Sequence, residues 1–254
     1  MSDQDETPQD GPLAQLDTAL RFLTTLPMPW PAPATSGIAK ALPFFPLVGA
    51  IIGALLVGVG WAAGLWWPPL TQAALLVVAW AVLSGGLHFD GLSDTFDAIM
   101  SWRERERKLE IMKDSRIGAM GALAIIGVFL LKLAFLSDAG AGWWRAALVA
   151  PMLGRWAMLQ AIASFPAARP GGLGSSVQGQ IGLPQLLTVS ALVMLAATAI
   201  AGVGGLCAAL LAAAVAHALG RWWTRELGGL TGDTYGAICE LIEVVALATI
   251  TAAN

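Results

Sequence analysis

Charge is what this chain lacks most. Only 12% of its 254 residues are Asp, Glu, Lys or Arg, against 57% hydrophobic, and mean hydropathy is +0.70. That balance argues against a soluble globular domain and for an integral membrane protein. No basic excess is present either: the net charge of −3 gives no case for nucleic-acid binding. Cysteine is scarce, and the two present, Cys207 and Cys239, sit in apolar helical contexts without metal-ligand spacing, so both are expected as buried small residues. The opening "MSDQDETPQDGP" has neither the basic start nor the apolar continuation of a signal peptide. Residues 1–12 are therefore expected to form a disordered cytoplasmic tail. The apolar runs that follow leave no room for a separate soluble unit, so residues 13–254 read as a single membrane-embedded domain.

Long apolar runs, in contrast, recur along the chain. Runs able to cross about 30 Å of hydrocarbon at about 1.5 Å per residue fall at 42–66, 69–88, 118–137, 146–165, 183–201, 204–220 and 235–252. The expectation is an all-α, polytopic membrane helix bundle with about seven transmembrane helices. Gly202-Val203-Gly204-Gly205 reads as a tight turn between two of them. Before the first span, Leu13 to Leu26 is too short to cross, and Leu16, Leu20 and Leu23 recur at helical spacing. An interfacial or re-entrant helix is expected there.

Orientation follows from the basic residues. The segment "SWRERERKLEIMKDSRIG" carries Arg103, Arg105, Arg107, Lys108, Lys113 and Arg116, whereas the loop from Gly64 to Leu70 carries none. The basic loop is assigned to the cytoplasm, together with Arg169, Arg221 and Arg225; Arg145, and Lys132 near a helix end, fall on the other side. Arg103, Arg105, Arg107 and Lys108 read first as topogenic charges, with "RERER" permitting i, i+3 and i, i+4 ion pairs.

Against this apolar background stands "GGLHFDGLSDTFDA". Asp90, Asp94 and Asp97 are spaced i, i+4, i+7, which at 100° per residue places them within a sector of roughly 60° on one helical face. Three carboxylates that close repel unless a cation sits among them, and hard oxygen ligands suit magnesium or manganese rather than zinc. Lys113 and Arg116, with Asp114 between them, supply the cations that a phosphate or pyrophosphate needs beside such a metal. A second acidic group, Asp233, Glu240 and Glu243, lies in "GGLTGDTYGAICELIE"; Asp233 and Glu240 share a face, and by topology Asp233 reaches the same membrane boundary as Asp90. Arg155 in the fourth span pairs with one of these carboxylates or with substrate phosphate. His88 is either a ligand or base, or a hydrogen-bonded structural histidine.

Four segments, "FFPLVGAIIG", "GGLHFDGLSDTFDA", "RERERKLEIMKDSRIGAMGALA" and "LGGLTGDTYGAICELIE", resemble the cobalamin synthase family of adenosylcobinamide-GDP ribazoletransferases in order and spacing over nearly the whole chain. The resemblance implies a multi-pass enzyme of the bacterial inner membrane, with its active site facing the cytoplasm and Mg2+ as cofactor. It implies the joining of adenosylcobinamide-GDP to alpha-ribazole or its phosphate, with release of GMP. By the motifs, Asp90, Asp94, Asp97, Asp114 and Arg116 carry catalysis, and Lys113, Ser115, Arg155, Thr231 and Thr234 bind substrate. Asp90, Asp94, Asp97, Asp233 and Glu240 hold metal. Two other readings are a CDP-alcohol phosphotransferase-like lipid enzyme, although Leu92-Ser93-Asp94 stands where that signature has an Ala-Arg pair, and a cation transporter built on Glu240, Glu243 and Arg155. Expected partners are these substrates and the lipid bilayer, with no nucleic acid. The sequence permits oligomerisation without indicating a state.

Overall fold

A computed structural model describes residues 11–33 and 37–253. The expected tail, residues 1–12, falls largely outside them. Every regular element among the described residues is helical, apart from one isolated bridge between Ala167 and Leu230. The α-helices are α1 (Pro12–Leu23), α2 (Ile38–Ala41), α3 (Phe45–Gly64), α4 (Pro69–Leu83), α5 (Leu87–Ile99), α6 (Arg105–Ile111), α7 (Ala119–Asp138), α8 (Trp143–Ser164), α9 (Leu173–Val177), α10 (Leu183–Leu227) and α11 (Gly232–Ala252), with short 3-10 turns at Leu42–Phe44 and Gly140–Gly142.

Among the described residues, five helical segments are long and apolar enough to cross a membrane, and α4 with α5 forms one further bent pair. This is fewer than the seven runs counted in the sequence, for two local reasons. The first is that the second run does not stay straight: α4 and α5 meet at 90°. Gly85 and Gly86 make the corner at φ of 62° and 68°, a left-handed backbone that a side chain resists. The second is that the fifth and sixth runs merge into the 45-residue α10, although Ala201 and Gly202 leave helical geometry at the expected turn. The chain bends sharply there, since a Cβ on Gly205 would lie 1.9 Å from the carbonyl oxygen of Ala197.

The central helices are α8, buried along most of its length, and α11. α7 and α10 present Leu123, Ile126, Leu130, Leu192, Leu195 and Val203 outward, an apolar surface that suits lipid rather than water. α1 is buried at Leu23 and partly at Leu16 and Leu20, with Phe22 stacked on Phe45 at 6.0 Å. Of the cysteines, Cys239 is buried as expected, whereas Cys207, on the second arm of α10, is exposed.

The basic loops gather at one end and lock together. Arg105 donates to the carbonyls of Leu227 at 2.7 Å and Ala168 at 2.8 Å, and Lys108 reaches Glu226 at 2.5 Å. Arg169 donates to the carbonyl of Leu109 at 3.2 Å, while across the bridge the Ala168 amide donates to Leu230 at 2.9 Å and the Leu230 amide to Pro166 at 2.8 Å. Arg105 and Lys108, read from sequence as topogenic charges, thus also tie α6 to the ends of α8 and α10. Only Arg107 with Glu110 makes the solvated i, i+3 pair that "RERER" suggested. Trp61, Trp66 and Trp67 are exposed around the far end of α3, where amphipathic rings favour a membrane–water boundary.

Candidate active site

α5 and α11 meet with almost nothing between their backbones. A Cβ on Gly91 would stand 2.6 Å from the carbonyl oxygen of Asp233, so only glycine permits this approach. The consequence is chemical: Asp90, next to Gly91, joins Asp233 on the wall of one cavity of about 210 Å³. Asp94 lies within electrostatic reach of Asp90, Asp233, Asp97 and Asp114. The two acidic motifs, separated in sequence by four apolar runs, therefore converge through Asp233.

These carboxylates differ in what already holds them. Asp97 accepts from the backbone amides of Gly118 at 2.7 Å and Gly121 at 2.8 Å. Both its oxygens are thereby committed to the first turn of α7, where amide donors lack helical partners and the helix dipole favours an anion. Asp233 accepts from the Thr231 hydroxyl at 3.2 Å. Among the described residues, none donates a hydrogen bond or ion pair to Asp90 or Asp94. Nor do any three His, Cys, Asp or Glu side chains among them close into a metal cage. The donor chemistry still fits a hard divalent ion. Magnesium is commonly held by one or two carboxylates plus substrate phosphate and water rather than by an all-protein cage, and Asp90, Asp94 and Asp233 offer uncommitted oxygens of that kind.

Glu240 is placed elsewhere. It is fully buried and its Oε2 accepts from Lys132 at 2.7 Å, while Lys132 also bonds Glu243 and Glu243 bonds Arg155. Lys132 further lies 4.1 Å over the Trp80 ring. Two cations and two carboxylates from α7, α8 and α11 thus neutralise one another inside the bundle, the arrangement that makes buried charge tolerable. The grouping of Glu240 with the aspartate face is corrected by this ion cluster, and so is the position of Lys132, which is internal rather than near a helix end. Arg155, fully buried, is engaged with Glu243 and His88, so of the two pairings expected for it the carboxylate is the one formed. Charges that close on each other in this way also offer no open cation path.

Thr231 and Thr234 form the capping box of α11, the Thr231 amide donating to Thr234 Oγ1 at 2.8 Å and the Thr234 amide to Thr231 Oγ1 at 3.3 Å. Thr234 is fully buried, so its hydroxyl serves the cap that fixes Asp233, not an accessible contact. Arg116 grips Asp114 through Nε at 2.9 Å and Nη2 at 2.5 Å. That pair holds the Asp114 carboxyl down at about 2. Lys113, Ser115 and Arg116 are exposed on the α6–α7 connection.

The cavity adds residues that sequence reasoning had not placed in the site. Arg169 lines it and feels Asp233 electrostatically; its signal was an arginine inside "AARPGGLG" on the same side as the acidic motifs. Phe22, Leu42, Phe45, Met158 and Ile162 line the cavity together with the polar His88, Asp90, Arg169 and Asp233. A lining that combines carboxylates and a guanidinium with apolar side chains can hold an amphipathic, phosphate-bearing molecule.

No solved structure matches the chain. Among curated proteins, it is 53% identical to an adenosylcobinamide-GDP ribazoletransferase of Roseiflexus sp. (strain RS-1), over 99% of this chain and 96% of that one. It is 43% identical to the protein of that name from Herpetosiphon aurantiacus, over 94% and 97%. To its counterpart in Pseudomonas syringae pv. syringae it is 39% identical, over 91% and 96%. The profile described as cobalamin-5-phosphate synthase matches residues 15–251, nearly the whole chain. With the acidic motifs of α5 and α11 brought together inside that matched span, the chain belongs to the cobalamin-5-phosphate synthase family.

Proposed function

We propose that this protein joins adenosylcobinamide-GDP to alpha-ribazole or alpha-ribazole phosphate, forming adenosylcobalamin or its phosphate and releasing GMP. The observation that carries this reading is the meeting of Asp90, Asp94 and Asp233 beside Arg169, in a chain whose relatives bear the name of that transferase. The reaction is a displacement at a pyrophosphate. A ribose hydroxyl attacks the phosphorus bearing the corrinoid's aminopropanol arm, and the bond to the GMP oxygen breaks.

Each resident group has a task. One or two of Asp90, Asp94 and Asp233, with substrate phosphate and water, would hold Mg2+, which when bound supplies neutralisation of the pyrophosphate charge. Arg169 in the cavity lining holds a phosphate, and Lys113 and Arg116, exposed on the α6–α7 connection, add positive charge for an incoming pyrophosphate. A carboxylate of the trio takes the proton of the attacking hydroxyl. Asp97 sets the position of α7 against α5 and so keeps the acidic face in register. The apolar Phe22, Phe45 and Met158 of the lining receive the non-polar part of a substrate.

The proposed setting is the bacterial inner membrane, with residues 13–254 acting as one catalytic unit. Taking α4–α5 as one broken crossing and the arms of α10 as two gives seven crossings, and the locked basic loops face the cytoplasm. The test is turnover by the purified protein supplied with adenosylcobinamide-GDP and alpha-ribazole. Formation of the joined corrinoid and GMP supports the reading, and its absence with magnesium present rejects it.

A further inference from the structure

Arg169 supplies the guanidinium of the cavity lining, yet it stands between α8 and α9, outside any helix that would fix its backbone. What holds it comes from α6. Arg169 Nη1 donates to the carbonyl of Leu109 at 3.2 Å. One turn earlier on that helix, Arg105 Nη2 donates at 2.8 Å to the carbonyl of Ala168, the residue preceding Arg169. Arg105 Nε donates at 2.7 Å to the carbonyl of Leu227, the last residue of α10. Gly228 follows at φ of 75°, and a Cβ on it would stand 2.7 Å from Arg105 Nε. Glycine therefore leaves the guanidinium its seat.

The two segments that Arg105 joins are paired with each other through Ala168 and Leu230, and each then runs into the cavity lining. One brings Arg169; the other brings Leu230, Thr231 and Asp233. A topogenic charge requires none of this geometry, since a lysine would serve it as well. Reaching two carbonyls from one side chain does require the planar fork of arginine. We propose that Arg105 is a positioning residue for phosphate binding: its grip on Ala168 and Leu227 fixes the backbone from which Arg169 meets a substrate phosphate. Arg105 itself touches no substrate. The inference rests on Arg169 holding a phosphate in the proposed reaction.

A double-mutant cycle in the full-length protein tests it. Arg105→Lys keeps the charge and gives up at least one of the two carbonyls; the side chain is 45% exposed, so no buried cation is stranded. The expected result is a KM for adenosylcobinamide-GDP raised about fivefold, with the KM for alpha-ribazole unmoved. In an Arg169→Ala background, where the positioned group is gone, the same substitution should add less than about twofold. Lys108→Met cuts the other tie of α6 to α10, at Glu226, and controls for a loosened helix; it should leave both KM values in place. A wild-type KM in Arg105→Lys, an equal loss with and without Arg169, or the same rise in Lys108→Met overturns the proposal.

A second readout does not depend on turnover. Calorimetric titration of the same variants with inorganic pyrophosphate and magnesium should show affinity lowered about fivefold by Arg105→Lys, and lowered no further by it once Arg169 is alanine. Affinity indifferent to Arg105→Lys refutes the proposal. Should the wild type fail to join the two substrates while pyrophosphate affinity shows this coupling, the assigned reaction fails and the positioning role stands.

Discussion

Replacing Glu240 by Gln tests whether this residue belongs to the metal site or to the buried ion cluster. Glu240 and Glu243 balance Lys132 and Arg155 with no exposure to solvent. Glu240→Gln leaves two cations against one carboxylate, and breaking a buried ion group from one side costs roughly 3–5 kcal/mol. For a chain of this size that is a fall in Tm on the order of 10 °C. Adding Lys132→Met restores neutrality, since Arg155 and Glu243 remain paired, so the double variant should melt closer to wild type than either single one. Thermal unfolding of the purified protein in detergent reads both effects. The same samples titrated with magnesium separate the roles: saturating metal at about 100 times Kd stabilises a folded state by about 2.7 kcal/mol, and that increment should be the same in Glu240→Gln as in wild type. A double variant no more stable than its worse parent, or an increment abolished by Glu240→Gln alone, would refute the separation of cluster and site.

Other expectations follow from particular contacts. Asp97→Asn puts a carboxamide donor against one of the two amides it now caps, so a stability loss of roughly 1–2 kcal/mol should appear on melting. Asp90→Asn, which disturbs no protein hydrogen bond, should leave Tm nearly unchanged while turnover falls by at least about a hundredfold. Gly91→Ala forces a methyl to within 2.6 Å of the Asp233 carbonyl; overpacking of this kind costs roughly 1–3 kcal/mol, and pushing α5 off α11 should depress turnover more than melting. For orientation, cysteines at Ser101 and Ala141 in a Cys207→Ser background should label from opposite sides of sealed vesicles, Ser101 from the cytoplasmic one. Labelling of both from one side would undo the crossing count.

Much of this site is legible because charge is so rare here that each charged residue stands out. Asp90, Asp94 and Asp97 could be placed on one face from spacing alone, and Asp233 could be brought to them by counting crossings. What spacing does not contain is the state of each oxygen. Asp97 looks equivalent to its neighbours until α7 begins beneath it and occupies both its oxygens, and Glu240 shares a helical face with Asp233 yet finds Lys132 first. Lys132 itself was misplaced because a lysine near either end of an apolar run reads as an end. Its partners lie on α11, more than a hundred residues away. The fold departs from the reading at corners: Gly85-Gly86 turns one apolar run into two helices at 90°, and the kink at Gly202 bends α10 without ending it. Apolar runs specify length and burial, whereas the angle at a glycine corner depends on what packs on either side.

The central claim is that α5 and α11 build one metal-assisted transferase site. Its most direct test is product formation from adenosylcobinamide-GDP and alpha-ribazole by purified wild type, Asp94→Asn and Asp233→Asn, each with magnesium and after its removal by chelation. The account predicts joined corrinoid and GMP in equal amounts from wild type with magnesium. It predicts loss of product on chelation, recovery when magnesium is returned, and a fall of at least about a hundredfold in either variant with the protein still folded. Full turnover in Asp233→Asn, or product formation indifferent to chelation, would contradict it.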